Sequence, residues 1–276
     1  MEVAVTSSAR GAQGKGIVVV KPPDYYEQYR KFVEAGDEKE VVAGVLGPLL
    51  GPGSILDVGA GCGDIPEILG LRTRDYTAIE CHVQCVEVLR AKSLNVIEAT
   101  FPCNLTRRYD NILLCYCLYG GRFQCEAILD AAWGALEEGG RIIVVTFRDH
   151  LDDYNRLLHR IGHTLRGHGD RYFAMILRKL ESLAPVTRDV AHSSLYGRDL
   201  GELADVLSFM ATNSNAGTVQ RRGEIRETIL AERPYLDGLY RTESGAYRFP
   251  IVHHVLVITK GMTMPREQSG SRGRVS

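Results

Sequence analysis

Residues 55–67 of the 276-residue chain read "ILDVGAGCGDIPE", an apolar run that enters a cluster of small residues and leaves through an acid, a proline and another acid. Gly59, Gly61 and Gly63 form GxGxG behind Asp57. Glycines at this spacing permit a tight turn and let a ligand approach the backbone closely, and the N–H groups at the following helix start can hold an anionic group. Asp64 followed by Glu67 predicts a capping box, with Pro66 suited to the first helical turn. A dinucleotide loop favours GxGxxG, with pyrophosphate on the helix N-terminus. Asp64 stands there instead, and a carboxylate repels a pyrophosphate. Glu80 closes the next apolar run, "YTAIE", where an acid can accept hydrogen bonds from both hydroxyls of a ribose. Loop and acid together imply a nucleoside-bearing ligand without a pyrophosphate.

A second set of residues could act on whatever that ligand meets. Tyr25, Tyr26 and Tyr29 lie in one helical stretch, and Tyr116 closes the strand run "YDNILLCY", with Tyr119 just after it. Aromatic rings suit both an apolar substrate body and a cation. His253 and His254 must point to opposite faces of a strand, so at most one looks inward. His253 would suit a general base, since an imidazole titrates near neutrality. His163 and His168 flank a glycine-rich loop and are further candidates. No histidine set has metal-ligand spacing. The seven cysteines show no CxxC pair, which predicts reduced, structural thiols in an intracellular protein and no metal site.

These residues need a frame. Short apolar runs alternate with helical stretches from "SILDV" to "RIIVVTF", the last helix of the series spanning "RFQCEAILDAAWGALEE". Strands too uniformly apolar to have a wet face imply a parallel sheet covered on both sides. The expected class is α/β, a doubly wound, Rossmann-like and mostly parallel sheet of about seven strands, in which ligands bind beyond the carboxyl ends. Amphipathic helices "DYYEQYRKFVEA" and "EKEVVAGVLGPLL" precede it. The second half is helical, with strands at "VTRDVAHSSLY" and "RFPIVHHVLVITK". The domain reading is one unit over 21–260, with lid helices at 24–50, a cofactor-binding core at 51–148, and substrate-side helices and a last strand at 149–260. Flexible tails are expected at 1–20 and 261–276.

A formal net charge of -1 removes the usual electrostatic argument for nucleic-acid or membrane-surface binding and leaves a small molecule as the expected partner. The N-terminus lacks a signal-peptide pattern and no run reaches the length of a membrane span, so a cytoplasmic protein is expected. A monomer is compatible with the sequence, which does not set the oligomeric state.

Residues 50–147 resemble the class I S-adenosylmethionine-dependent methyltransferases, through "LDVGAGCGD", Glu80, "EATF", "YDNILLCYCLY" and "LEEGGRIIVVTF" in order. The resemblance implies that Asp57, Gly59, Ala60, Gly61 and Gly63 cradle the amino-acid part of the cofactor. It implies that Glu80 binds the ribose, that Thr100 lies by the adenine, and that Cys115 and Tyr116 reach toward the methyl group. S-adenosylmethionine is then the cofactor, S-adenosylhomocysteine the product, and no metal is expected.

The flanks, beginning with "YYEQYRKFVEAGDE", look like those of histamine N-methyltransferase and its relatives. That likeness implies that the N-terminal helices close over the substrate and that Glu38 accepts a hydrogen bond from an amine. Other positions depart from the pattern. Tyr116 stands for the family's glutamine, Ile251 or a near neighbour for its asparagine, and Tyr154 and Leu158 for its two tryptophans. The expected activity is N-methylation of an amine or imidazole-type nitrogen, with Tyr116 and His253 as catalytic residues and Glu38, Tyr25, Tyr119 and Tyr154 around the substrate. O-methylation of a specialised metabolite is the alternative, and a non-catalytic cofactor-binding protein the third reading.

Overall fold

The computed structural model describes residues 25–118, 122–147, 152–162, 169–213 and 221–261. Its centre is set by strands β1 (Ile55–Val58) and β2 (Tyr76–Glu80), every residue of which is buried. Strands β3 (Val96–Glu98), β4 (Tyr109–Cys115), β5 (Leu136–Thr146), β6 (Val186–Gly197) and β7 (Tyr247–Thr259) complete one sheet in the order β3-β2-β1-β4-β5-β7-β6. Neighbours among β1 to β5 pair in parallel, and β7 runs antiparallel to both β5 and β6. The chain builds outward from β1 to β3, then returns to lay β4 on the other side of β1. That reversal opens a crevice at the carboxyl ends of β1 and β4, the place where such sheets hold ligands.

Alternate side chains of the central strands feed two cores. Leu56, Ile112, Leu114, Ile142 and Val144 face one side, with helices α5 (Arg122–Gly134) and α7 (Gly169–Glu181). Ile55, Leu113, Ile143 and Val145 face the other, where α2 (Glu38–Leu49), α3 (Asp64–Ile68) and α4 (Val83–Ala91) pack. A third cluster joins Phe32 of α1 (Tyr25–Glu34) to α6 (Asp153–Arg160), α8 (Leu200–Asn213), α9 (Arg222–Ala231) and α10 (Arg233–Tyr240). Phe249 and Ile251 of β7 belong to that cluster. β5 stops pairing with β7 at Thr146↔His254, whereas β6 and β7 stay paired to Gly197↔Tyr247. The ribbon they form therefore rises past the carboxyl end of β5 and carries residues above the crevice.

Two expected boundaries move. The helix expected through Glu138 ends at Gly134, and β5 begins at Leu136 rather than after the glycine pair. Strand pairing decides this: Tyr109 takes Leu136 as its partner, and the register then shifts before Asn111 meets Arg141. The stretch "GEIRETILAERPYL" divides into α9 and α10, with Pro234 in the first turn of the second helix, where its missing N–H is harmless. Among the described residues no helix is long and apolar enough to cross a membrane. Of the two expected tails, only Gly261 is described.

Candidate functional site

The glycine loop hangs from β2: the N–H groups of Gly59 and Ala60 both donate to the Ile79 carbonyl, at 2.8 and 3.2 Å. Gly59 has φ +71°, and a Cβ there would lie 2.7 Å from the Cys117 Cβ, so only glycine fits between the loop and the end of β4. Glu80 is buried at the mouth of this loop, 5% exposed. Its Oε2 accepts the Gly61 N–H at 2.9 Å, and its Oε1 accepts those of Cys81 and His82 at 2.7 and 2.8 Å. A carboxylate has about four acceptor positions, so one remains for a ligand hydroxyl and a second opens if Gly61 turns away.

Asp57, buried at the end of β1, accepts the Tyr76 hydroxyl at 2.8 Å. Burial raises its carboxyl to about 6; the Tyr76 bond works against the rise and the Glu80 charge adds to it. Thr100 lies beside the Cys81 thiol beyond β3. Burial also holds the Cys115 thiol well above its ordinary range, so it is a neutral wall of the crevice.

The expected capping box does not form. Gly63, in a left-handed conformation, is the N-cap of α3, and no side chain caps that helix. The Asp64 carboxylate turns outward to α1, where it accepts the Tyr29 hydroxyl and Arg30 Nη1, each at 3.1 Å, with Lys92 Nζ 3.6 Å away. A lid helix is thereby latched across the glycine loop. The joint behind the lid is docked on β6, where the Asp37 carboxylate accepts the Ser194 N–H at 2.6 Å and the Tyr196 hydroxyl at 3.0 Å. This fixes the start of α2 and turns its first two residues inward.

Those residues are Glu38 and Lys39, both buried and joined at 2.7 Å from Lys39 Nζ to Glu38 Oε1. Lys39 Nζ is 5.7, 5.9 and 5.5 Å from the ring centres of Tyr29, Phe32 and Tyr116, within cation–π range of all three. Lys39 reads in the sequence as one more charge in an acidic, solvated run, and only its burial among rings marks it.

Tyr116 follows β4 directly with φ +52°, a conformation that a bulky residue holds only when its surroundings impose it. Its N–H donates to the Val145 carbonyl at 2.9 Å, its ring stacks on Phe147 at 4.7 Å, and its hydroxyl lies 2.6 Å from His253 Nδ1. His253 is fully buried, and its other nitrogen, Nε2, is 2.6 Å from Ser193 Oγ. Burial lowers the imidazole to about 4; the Glu38 charge raises it, and those of Lys39 and His192 lower it. His253 is therefore neutral at physiological pH. His254 faces the other side of the strand, against Phe173.

The remaining expected residues separate. The Tyr25 ring lies against Tyr29, His82 and Phe209, at the head of α4. Tyr154 is buried in the cluster of Phe249 and Ile251, on the strand face that also carries His253. Tyr119, His163 and His168 lie outside the described residues. Ser193 carries no signal of its own within "AHSSLY".

No protein-family model matches the sequence, and no curated protein matches it. Solved structures do. A proposed methyltransferase of Bacillus halodurans C-125 superimposes with a TM-score of 0.52, covering 79% of this chain and 97% of its own at 14% identity. The fold is that of the class I methyltransferases. The YcgJ protein of Bacillus subtilis aligns over the same shares, 79% and 97%, at 14% identity and a TM-score of 0.51. A methyltransferase of Thermotoga maritima, described as a possible histamine N-methyltransferase, aligns at a TM-score of 0.48 with 13% identity, covering 86% of this chain and 95% of its own.

Proposed function

We propose that the protein transfers a methyl group from S-adenosylmethionine to a nitrogen of a small molecule. The observation that carries this reading is the meeting of a glycine loop and its clamped acid, Glu80, with Glu38, Tyr116 and His253 across one crevice. The residues present fit the cofactor. Glu80 has acceptor capacity toward the loop, and among the described residues a Cβ at Gly61 would meet only the Tyr29 hydroxyl, at 3.7 Å, so the loop's inner face has room for a ligand. Asp57, Gly59, Ala60, Gly61 and Gly63 would hold its amino-acid part, Glu80 its ribose, and Thr100 and Cys115 would line its adenine and methyl ends.

The cofactor supplies a methyl carbon already activated by its sulfonium leaving group. What the chain must do is align the acceptor, exclude water and manage one proton. The lid, latched by Arg30 and Tyr29 on Asp64, excludes water. Glu38 orients the acceptor: one of its oxygens is bonded to Lys39, and the carboxylate has further capacity for an amine or ring N–H. Tyr116, held in its strained conformation, presents a hydroxyl to the acceptor and passes a proton to His253.

An oxygen acceptor is the second reading, favoured by one observation. A neutral, buried histidine on a tyrosine hydroxyl is what deprotonation of a phenol requires. Incubation with methyl-labelled cofactor and a panel of biogenic amines, imidazoles and phenols separates the two. Label on nitrogen acceptors supports the first reading, and label only on oxygen acceptors replaces it with the second.

A further inference from the structure

Methylation of a neutral nitrogen leaves a product that carries one proton too many, and the crevice lies under a latched lid. A route for that proton runs through the ribbon. Tyr116 Oη and His253 Nδ1 are 2.6 Å apart, and so are His253 Nε2 and Ser193 Oγ. Both distances are at the short end for hydrogen bonds of these atom types. Ser193, 4% exposed, also lines a cavity of about 510 Å³ whose other walls include Asp153, Arg156, His192 and Arg248. The cavity opens to solvent, and the charged groups on its wall keep water in it beside the apolar Leu239 and Pro250. The chain of three groups therefore joins the end of β4 to a solvent-open cavity at the β6–β7 ribbon.

We infer that Tyr116, His253 and Ser193 form a proton exit from the acceptor to this cavity, with Ser193 as its outer member. The inference rests on the methyl-transfer reading above. A phenol is a stronger acid than an alcohol, so at rest Tyr116 donates to Nδ1 and the Nε2–H donates to Ser193 Oγ. The product's N–H bond breaks and its proton forms a bond to Tyr116 Oη. The former Tyr116 proton moves to Nδ1, the Nε2 proton to Ser193 Oγ, and the Ser193 proton to water. Each group gains one proton and loses one, and no oxidant or reductant is involved. Reversal of the imidazole tautomer and rotation of the two hydroxyls restore the start.

The charged and titratable groups that face His253 are Asp37, Glu38 and Lys39 at the start of α2, His192 on β6 and Tyr116 directly after β4. Glu38 and Asp37 favour the transient imidazolium, and Lys39 and His192 oppose it. Burial keeps the ring neutral between turnovers.

The test uses the full chain, the best acceptor of the panel and a single turnover, with methyl transfer followed by label and proton release by an indicator dye. In the wild type the two rates coincide. In Ser193→Ala proton release lags by ~10²-fold, the size of a typical general acid–base contribution, while acceptor and cofactor KM values stay unchanged; Ser193→Thr restores the rate. Wild-type proton release by Ser193→Ala, with transfer intact, overturns the inference. If the wild type methylates nothing, the methyl-transfer reading falls by itself. The relay is then judged on the resting protein by nitrogen NMR of His253: a protonated Nε2 with bare Nδ1 supports it, and a protonated Nδ1 refutes it.

Discussion

Asp57→Asn is expected to make the protein more stable, not less. The carboxyl is buried and rises from 3.8 to about 6 in the fold, a gap of about 2 pH units. At 1.36 kcal/mol per unit, ionising it in the native state costs about 3 kcal/mol at pH 7.5. The amide has the same shape and still accepts the Tyr76 hydroxyl, so the bond at 2.8 Å survives while the charge is removed. The sign follows from proton counts. Between about 4 and 6 native Asp57 binds more protons than the unfolded chain, so its contribution to stability falls as pH rises. His253 acts in the opposite sense: lowered from 6.5 to about 4, it binds fewer protons in the fold, so stability is lost as pH falls through that window. In the wild type the two slopes largely offset. In Asp57→Asn the His253 slope is no longer offset by Asp57, and between pH 4 and pH 6.5 stability climbs by about 3 kcal/mol more than in the wild type. Urea melts followed by circular dichroism at half-unit pH steps read this directly. At pH 7.5 the gain corresponds to roughly 6–12 °C in Tm. Parallel pH profiles for the two proteins, or a variant less stable than the wild type at pH 7.5, would refute the reasoning.

Further substitutions probe the loop, the ring cage and the latch. Gly59→Ala forces a left-handed residue and a 2.7 Å contact with Cys117, so thermal melts should show a loss of ~1–3 kcal/mol and cofactor titration at least ~10-fold weaker binding. Lys39→Met empties the three-ring cage of its internal ammonium and leaves Glu38 as a buried carboxylate without that partner. A cationic amine then fits better, its KM falling ~10-fold while that of a neutral acceptor does not change, and the folded protein loses about 3–5 kcal/mol. Asp64→Asn weakens the lid latch by ~1 kcal/mol, since Arg30 is partly solvated; limited proteolysis within α1 should speed up about 5-fold.

The parallel half of the sheet was legible because strands buried on both faces carry apolar residues on both, as "ILL" of β4 and "IIVV" of β5 do. That at most one of His253 and His254 looks toward the site followed from period two once "RFPIVHHVLVITK" was read as a strand; that it is His253 is set by the face β7 shares with Phe249 and Ile251. The end of α5 was not legible, because "GALEEGG" has helical composition and yields only to the pairing of Leu136 with Tyr109. Asp64 and Glu67 carry every local mark of a capping box, yet the carboxylate is claimed by an arginine and a tyrosine 34 and 35 residues away. Lys39 and Ser193 escaped for the same reason: their roles arise from rings and a histidine brought near by tertiary packing. Glu38 was placed by resemblance and is buried by structure, but the ammonium bonded to it belongs to the chain itself.

Calorimetric titration of S-adenosylmethionine into the wild type and into Glu80→Ala is the most direct test of the account. The wild type should bind, and Glu80→Ala, folded by circular dichroism, should bind ~10- to 150-fold more weakly, the loss of 1.5–3 kcal/mol expected when a charged hydrogen-bond acceptor is removed. No binding by the wild type, or equal affinity in the variant, would contradict it.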